Sequence, residues 1–346
     1  GHIERFFTHI PEQLVKGTCI AIGEHIYLYI ENSVRHMMTA AEAREIVAEF
    51  DSRIYPQVHR LIGLEWRPGL DRDTKITLLM HDVGSNESGA DFGGHFSSTD
   101  QNPTELNSNR REMVFMDIFQ FKERSSYTFY NSLAHELTHL VNWFQNGGTT
   151  DERWLEEGIA SFSEWAIYRN IHNIFVDGYL EDPSVSLTSA NTADVYYGAT
   201  FTLLLYLFEH HGGERFIREF ARQNLLGIRG IDAALAALGR SERFADVFQN
   251  WALANFVNDI NRGRLLGYTN LPNRRVNAVV QQVSSYPTIR FDNLEDWGVR
   301  YVVFQNLPEQ IEIALEGTTS GVLHARLAQL PSSGVASVHS IDFDEG

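Results

Sequence analysis

Apolar positions along this chain change spacing twice, and the changes divide it into three stretches. In the first, Thr18 to Ile30 is strand-like, with Tyr27, Tyr29 and several Ile. Thr39 with Glu42 three residues later is a capping-box signature, which predicts a helix running to about Leu61. Lys75 to His81 alternates and then turns apolar, as a strand does. A Gly-, Ser- and Asn-containing loop from Gly84 to Gly94 follows, and Glu112 to Asp117 predicts a further strand. Phe129, Leu133, Leu137, Leu140, Val141 and Phe144 then recur at helical spacing, and Gly147-Gly148 stops that helix.

The second stretch reads as mostly helical. Asp151 can cap a helix whose buried stripe is Trp154, Leu155, Ile159, Phe162 and Trp165. Phe201 to Phe208 is apolar on every side and ends at Gly212-Gly213, a buried helix with a glycine stop. After Gly263 the runs become short and separated by turns: Val276–Val283, Val299–Phe304, Ile311–Leu315 and Val322–Leu327. They predict a small β domain of sandwich type. The fold class is therefore α+β, with an α/β part over residues 1–146, a helical part over 147–263 and a β-sandwich-like part over 264–346.

Composition narrows the function. With 45 Asp and Glu against 28 Lys and Arg, the net charge of −17 argues against nucleic-acid binding and disfavours strongly acidic substrates. No apolar run approaches the eighteen or so residues that suggest a membrane span. The single Cys19 sits in an apolar stretch, which predicts a buried thiol and no disulfide. The chain opens on Gly1-His2 with no initiator Met and no apolar targeting segment, as a processed or trimmed chain would.

The candidate chemistry lies in His135-Glu136-Leu137-Thr138-His139. Histidines four apart on a helix share a face, one turn above the other, so both imidazoles can reach one metal ion. Glu136, one step round, can reach a water on that metal and act as general base. A catalytic zinc site takes three protein ligands and leaves a position open. A second helix, antiparallel across a short Gly-rich loop, would bring Glu156 or Glu157 opposite the histidines; on chemistry alone either would serve.

His135-Glu-Leu-Thr-His139 followed by Trp154-Leu-Glu-Glu157-Gly-Ile-Ala resembles the gluzincin pattern H-E-x-x-H plus W-L-x-E-G-x-A. Thermolysin-like, aminopeptidase N-like and hyicolysin-like zinc peptidases share that pattern. The resemblance implies a thermolysin-like catalytic unit, a bound Zn2+, a peptide or protein substrate and secretion. It also implies that Glu157, just before the glycine, is the third ligand, with Glu156 at a variable position. Glu164, seven residues on, matches a family carboxylate that bonds a zinc-bound histidine, the alternative being a solvated glutamate. Family tyrosines that donate to the oxyanion lie near the start of a later helix; Tyr206-Leu207 resembles the family's Y-L and places that role on Tyr197, with Tyr196 as the alternative. The resemblance further implies that an edge strand, here Gly93 to Ser98, pairs with substrate backbone. The aminopeptidase N group carries a G-x-M-x-N motif, and none stands upstream of His135, which favours endopeptidase action. His210 and His211, at a helix C-terminus, read as partly charged capping residues rather than metal ligands. Leu70-Asp71-Arg72-Asp73 reads as a solvated acidic turn rather than a calcium site.

Overall fold

A computed structural model describes the chain except residues 85–92, 124, 189–192, 277–279, 290–292, 315–322 and 342–346. It comprises two compact units. The first takes Gly1–Asp151, Ile159–Ile171 and Ile217–Gly230; the second takes Glu152–Gly158, His172–Phe216 and Ile231–Gly346. Most of the expected Gly84–Gly94 loop lies outside the described residues.

The first unit is built on a six-stranded sheet of order β1-β2-β3-β4-β6-β5. Strands β1 (Ile3–His9), β2 (Glu12–Ile22) and β3 (Ile26–Glu31) are antiparallel neighbours, and β4 (Ile76–His81) and β6 (Met113–Asp117) continue the sheet in parallel. Strand β5 (Gly94–Phe96) closes the edge, antiparallel to β6. The expected single strand from Thr18 to Ile30 is therefore a hairpin broken at Gly23, and β1 is an additional strand. All six residues of β4 are buried, as expected of a parallel strand covered on both faces.

Phe6, Val15, Cys19, Tyr29, Leu79, Met113 and Phe115 form the core on one face of the sheet. Cys19 is free and buried, as its apolar setting predicts. The alternate residues Leu28, Ile30, Leu78, Met80, Val114 and Met116 are buried on the other face. The end of β1 is pinned to the loop before β6. Asn109 exchanges two 2.8 Å hydrogen bonds with the Phe7 backbone, and its own N–H and amide donate to buried Asp100.

The helix from Thr39 forms with its capping box intact: Thr39 accepts from the Glu42 N–H and Glu42 accepts from the Thr39 N–H. It is not regular to Leu61. Helix α1 (Ala40–Glu49) passes through a π turn at Phe50–Ile54 into α2 (Tyr55–Leu61). Pro56 has no N–H to give the preceding turn, and the Tyr55 N–H bonds back to Phe50, five residues away.

Helices α3 (Ile118–Glu123), α4 (Ser126–Gln145) and α5 (Arg153–Tyr168) follow. Ser125 caps α4 by accepting from Thr128 N–H, and the Phe129, Leu133, Leu137, Leu140 and Val141 stripe is buried. Gly147 and Gly148, both left-handed, return their N–H groups to Phe144 and Trp143 and end the helix as expected.

In the second unit α6 (Asn173–Glu181) packs on α7 (Ala193–His211), and α10 (Phe244–Val257) on α7. Helices α8 (Glu214–Ala221) and α9 (Ile228–Ala237) lie between them in sequence. From Leu203 to Leu207 every residue of α7 is buried, which is why its sequence shows no polar face. Two close approaches need glycine. A Cβ on Gly198 would stand 2.0 Å from the Phe175 carbonyl oxygen, and one on Gly158 would stand 2.9 Å from the Thr200 Cβ.

Among the described residues the C-terminal stretch forms two two-stranded sheets, not a sandwich. Strands β7 (Val280–Val283) and β8 (Tyr301–Phe304) are parallel, and β9 (Ala325–Gln329) and β10 (Ser337–Ile341) antiparallel. Residues 311–314 of the expected Ile311–Leu315 strand are irregular; residue 315 and the start of the Val322 run lie outside the described residues.

Candidate metal centre

Helix α4 carries His135 and His139 half-buried, with ring centroids 4.7 Å apart and planes crossed at 76°. Their four-residue spacing stacks them on one face, as the sequence requires. Glu157 lies in the second turn of α5, one residue before Gly158. The donor atoms of His135, His139 and Glu157 all lie within 4.8 Å of one another, a group that could hold a metal ion. Of the two carboxylates left open by chemistry alone, Glu157 belongs to this group, whereas Glu156 is buried and outside it.

Glu164 is 4 % exposed, and its Oε1 lies 2.8 Å from His135 Nδ1. Its other oxygen accepts from Asn170 Nδ2 at 2.9 Å. The carboxylate thus favours the tautomer that carries its proton on Nδ1, the one in which Nε2 is the metal-binding nitrogen. A solvated surface glutamate would show neither the burial nor the two bonds.

The donor set fits zinc: two imidazoles and one carboxylate, one imidazole already oriented by a buried acid. Among the described residues it offers three ligands, the number with which catalytic zinc leaves a position for water, rather than the four that close a structural site. Glu136, between the two histidines in sequence, is buried on α4.

Tyr196 and Tyr197 lie in the first turns of α7, their rings stacked at 4.7 Å, and Tyr197 also stacks on Phe175 at 5.2 Å. The Tyr197 hydroxyl lies close enough to the Glu157 carboxylate to feel its charge. Burial first, and then the Glu157 charge, pushes its phenol well above the ordinary range, so it is a proton-bearing donor at neutral pH. Tyr196 is 1 % exposed; burial raises its phenol, and Tyr197 and the Arg153 guanidinium oppose the rise.

Arg153 was not singled out by the sequence. One helical turn before Glu157, it interacts electrostatically with both tyrosines and with Glu157. Its i,i+4 spacing to Glu157 was the available signal.

His210 and His211 are not charged caps. Both are buried; burial lowers His210, which bonds the Gly267 carbonyl at 3.0 Å, and lowers His211 to about 4. The Asp71 and Asp73 carboxylates accept backbone N–H groups of their own turn and stand outside the metal-holding group. No helix among the described residues is long and apolar enough to cross a membrane.

No protein-family model matches the chain, and no curated protein matches it. Among solved structures it is similar to native yeast LTA4 hydrolase, with a TM-score of 0.42 at 17 % identity over 68 % of this chain and 38 % of that one. For yeast LTA4 hydrolase in complex with bestatin the TM-score is 0.43, at 17 % identity over 68 % and 39 %. The chain thus spans under two-fifths of the length of these proteins.

Proposed function

We propose that this chain is a zinc-dependent metallopeptidase of gluzincin type that cuts peptide bonds internally. The donor group of His135, His139 and Glu157 is the observation that carries the reading. Bound there, zinc would supply Lewis acidity and bring the pKa of a water toward about 7.

The chain's own groups would do the rest. Glu136 takes the proton of the attacking water and returns it to the leaving amine. Glu164 keeps His135 in the required tautomer. Tyr197 keeps its proton and donates to the oxygen on which negative charge develops, a role worth about 10²–10³ in rate for one such donor. Among the described residues strand β5 has β6 as its one neighbour in the sheet and packs beside α4, and such an edge would suit an extended peptide.

Endopeptidase action is favoured by the lack of a G-x-M-x-N motif before His135. The test is product identification by mass spectrometry after incubating zinc-loaded protein, with and without chelator, with a mixed peptide pool. Chelator-sensitive internal cuts support the reading. Stepwise removal of N-terminal residues makes the enzyme an aminopeptidase, and no chelator-sensitive product makes the chain a zinc-holding binding protein.

A further inference from the structure

A cleft in the first unit, lined by none of the metal-centre residues, gathers cations in a chain that is otherwise strongly acidic. It has a volume of about 480 Å³ and is walled by the loop after α2, the end of α4 and the end of α8. Glu65, 2 % exposed, lines it and is already paired. Glu65 Oε1 accepts from Tyr55 Oη and from Arg67 Nε, each at 2.9 Å, and its other oxygen pairs with His59. That carboxylate has no charge to spare for the remaining guanidiniums.

Arg218 and Arg222, four residues apart, face the same cleft. Among the described residues neither has a carboxylate within ion-pair distance, 4.0 Å. One Arg218 nitrogen donates to the Arg60 carbonyl, which fixes the fork and leaves its other N–H groups open. Two unneutralised guanidiniums side by side repel each other, and a shared anion removes that repulsion. The remaining wall is mixed: Leu64 and Phe144, the latter stacked on Trp66 at 6.2 Å, are its apolar part, and Gln145, whose amide donates to the Leu64 carbonyl, stands beside them. The cleft's volume is that of a small-molecule site, and it is an open surface cleft rather than an enclosed cavity.

We propose that this cleft binds a small phosphomonoester, its dianionic head on Arg218 and Arg222 and its organic group against Leu64 and Phe144. Arg forks match phosphate oxygens in pairs, and the two charges balance.

The test is calorimetric titration of the full chain, metal-loaded and metal-free, with phenyl phosphate, inorganic phosphate, benzoate and phenol. Phenyl phosphate should bind tightest, phenol not measurably, and the affinity should fall steeply with salt. Arg222→Gln, a change at an exposed position, should weaken phenyl phosphate about tenfold or more, and Arg218→Gln likewise. Arg229→Gln, an exposed arginine of the same unit outside the cleft, should leave it unchanged. Binding that is lost on removing the metal would assign the anion to the metal centre and overturn the proposal. So would no binding by the wild type, or equal binding by Arg222→Gln. Benzoate matching phenyl phosphate would replace the phosphate by any carboxylate and overturn the ligand class.

Discussion

Two imidazoles buried in the first unit make its stability depend on acid in a way that can be calculated. His81 ends β4, fully buried, and His95 in β5 lies flat on Phe115, with ring centroids 4.5 Å apart and planes 4° apart. Neither ring nitrogen of either histidine has a hydrogen-bond partner among the described residues. Burial lowers His81 to about 4, and burial together with the neighbouring His81 and His9 lowers His95 to about 3, both from 6.5. Folded, these rings stay neutral at pH 5; unfolded, they are almost fully protonated. The unfolded chain then binds more protons, so stability falls as pH drops below 6.5 and levels off only below the folded values. At pH 5 the deficit is about 1.5 pH units at 1.36 kcal/mol each, about 2 kcal/mol per histidine and about 4 for the pair.

Glu112 acts in the opposite sense. Burial raises it to about 7, so the folded protein takes its proton first and gains stability as pH falls toward 4.5. Wild-type stability alone would mix the two effects. The perturbation is therefore His95→Gln, compared with wild type by urea denaturation at about pH 7 and about pH 5, read through hydrogen exchange of β4 and β6. Whatever its offset at neutral pH, the variant should lose about 2 kcal/mol less than wild type between the two conditions. Equal losses in the two proteins would refute the reasoning.

Other expectations follow from single contacts. Glu164→Ala removes the acid that orients His135 and should cost about 10–100-fold in zinc affinity, read by competition with a chromogenic chelator. Tyr197→Phe should lower kcat about 10²–10³-fold with KM little changed, whereas Tyr196→Phe should leave kcat within a few-fold; steady-state kinetics on one peptide separates them. Gly198→Ala places a methyl against the Phe175 carbonyl, and the overpacking, about 1–3 kcal/mol, should outweigh the helix-propensity gain of about 1; a lowered Tm checks it.

Local signals carried far along this chain. The capping box at Thr39, the apolar stripe of α4, its glycine stop and the runs of β4 and β6 all depend on neighbours within a few residues, and all are legible. So was the histidine pair, because H-E-x-x-H is a helical spacing, whereas spacing alone left Glu156 and Glu157 open and only the resemblance to the gluzincin pattern pointed to Glu157. What failed depends on distant partners. Gly23-Glu24-His25 lacks the Asn-Gly or Asp-Gly signature of a tight hairpin, so β2 and β3 read as one strand. Glu4, Arg5, Thr8 and His9 conceal in β1 a strand whose Phe6 is buried only because the sheet supplies its cover. His210 and His211 have a surface residue's sequence context, and only the packing of Tyr206 and the Gly267 carbonyl makes them neutral interior groups. Arg153 was missed because the tyrosines it meets lie more than forty residues away in sequence.

The central claim is that His135, His139 and Glu157 hold a catalytic zinc served by Glu136. It is tested most directly by metal content and peptide cleavage measured together on wild type and Glu136→Gln. The account predicts one zinc per chain in both proteins, with cleavage in the variant reduced about 10²–10⁴-fold. Cleavage by the variant near the wild-type rate with full zinc, or a wild type that neither holds zinc nor cuts any peptide, would contradict it.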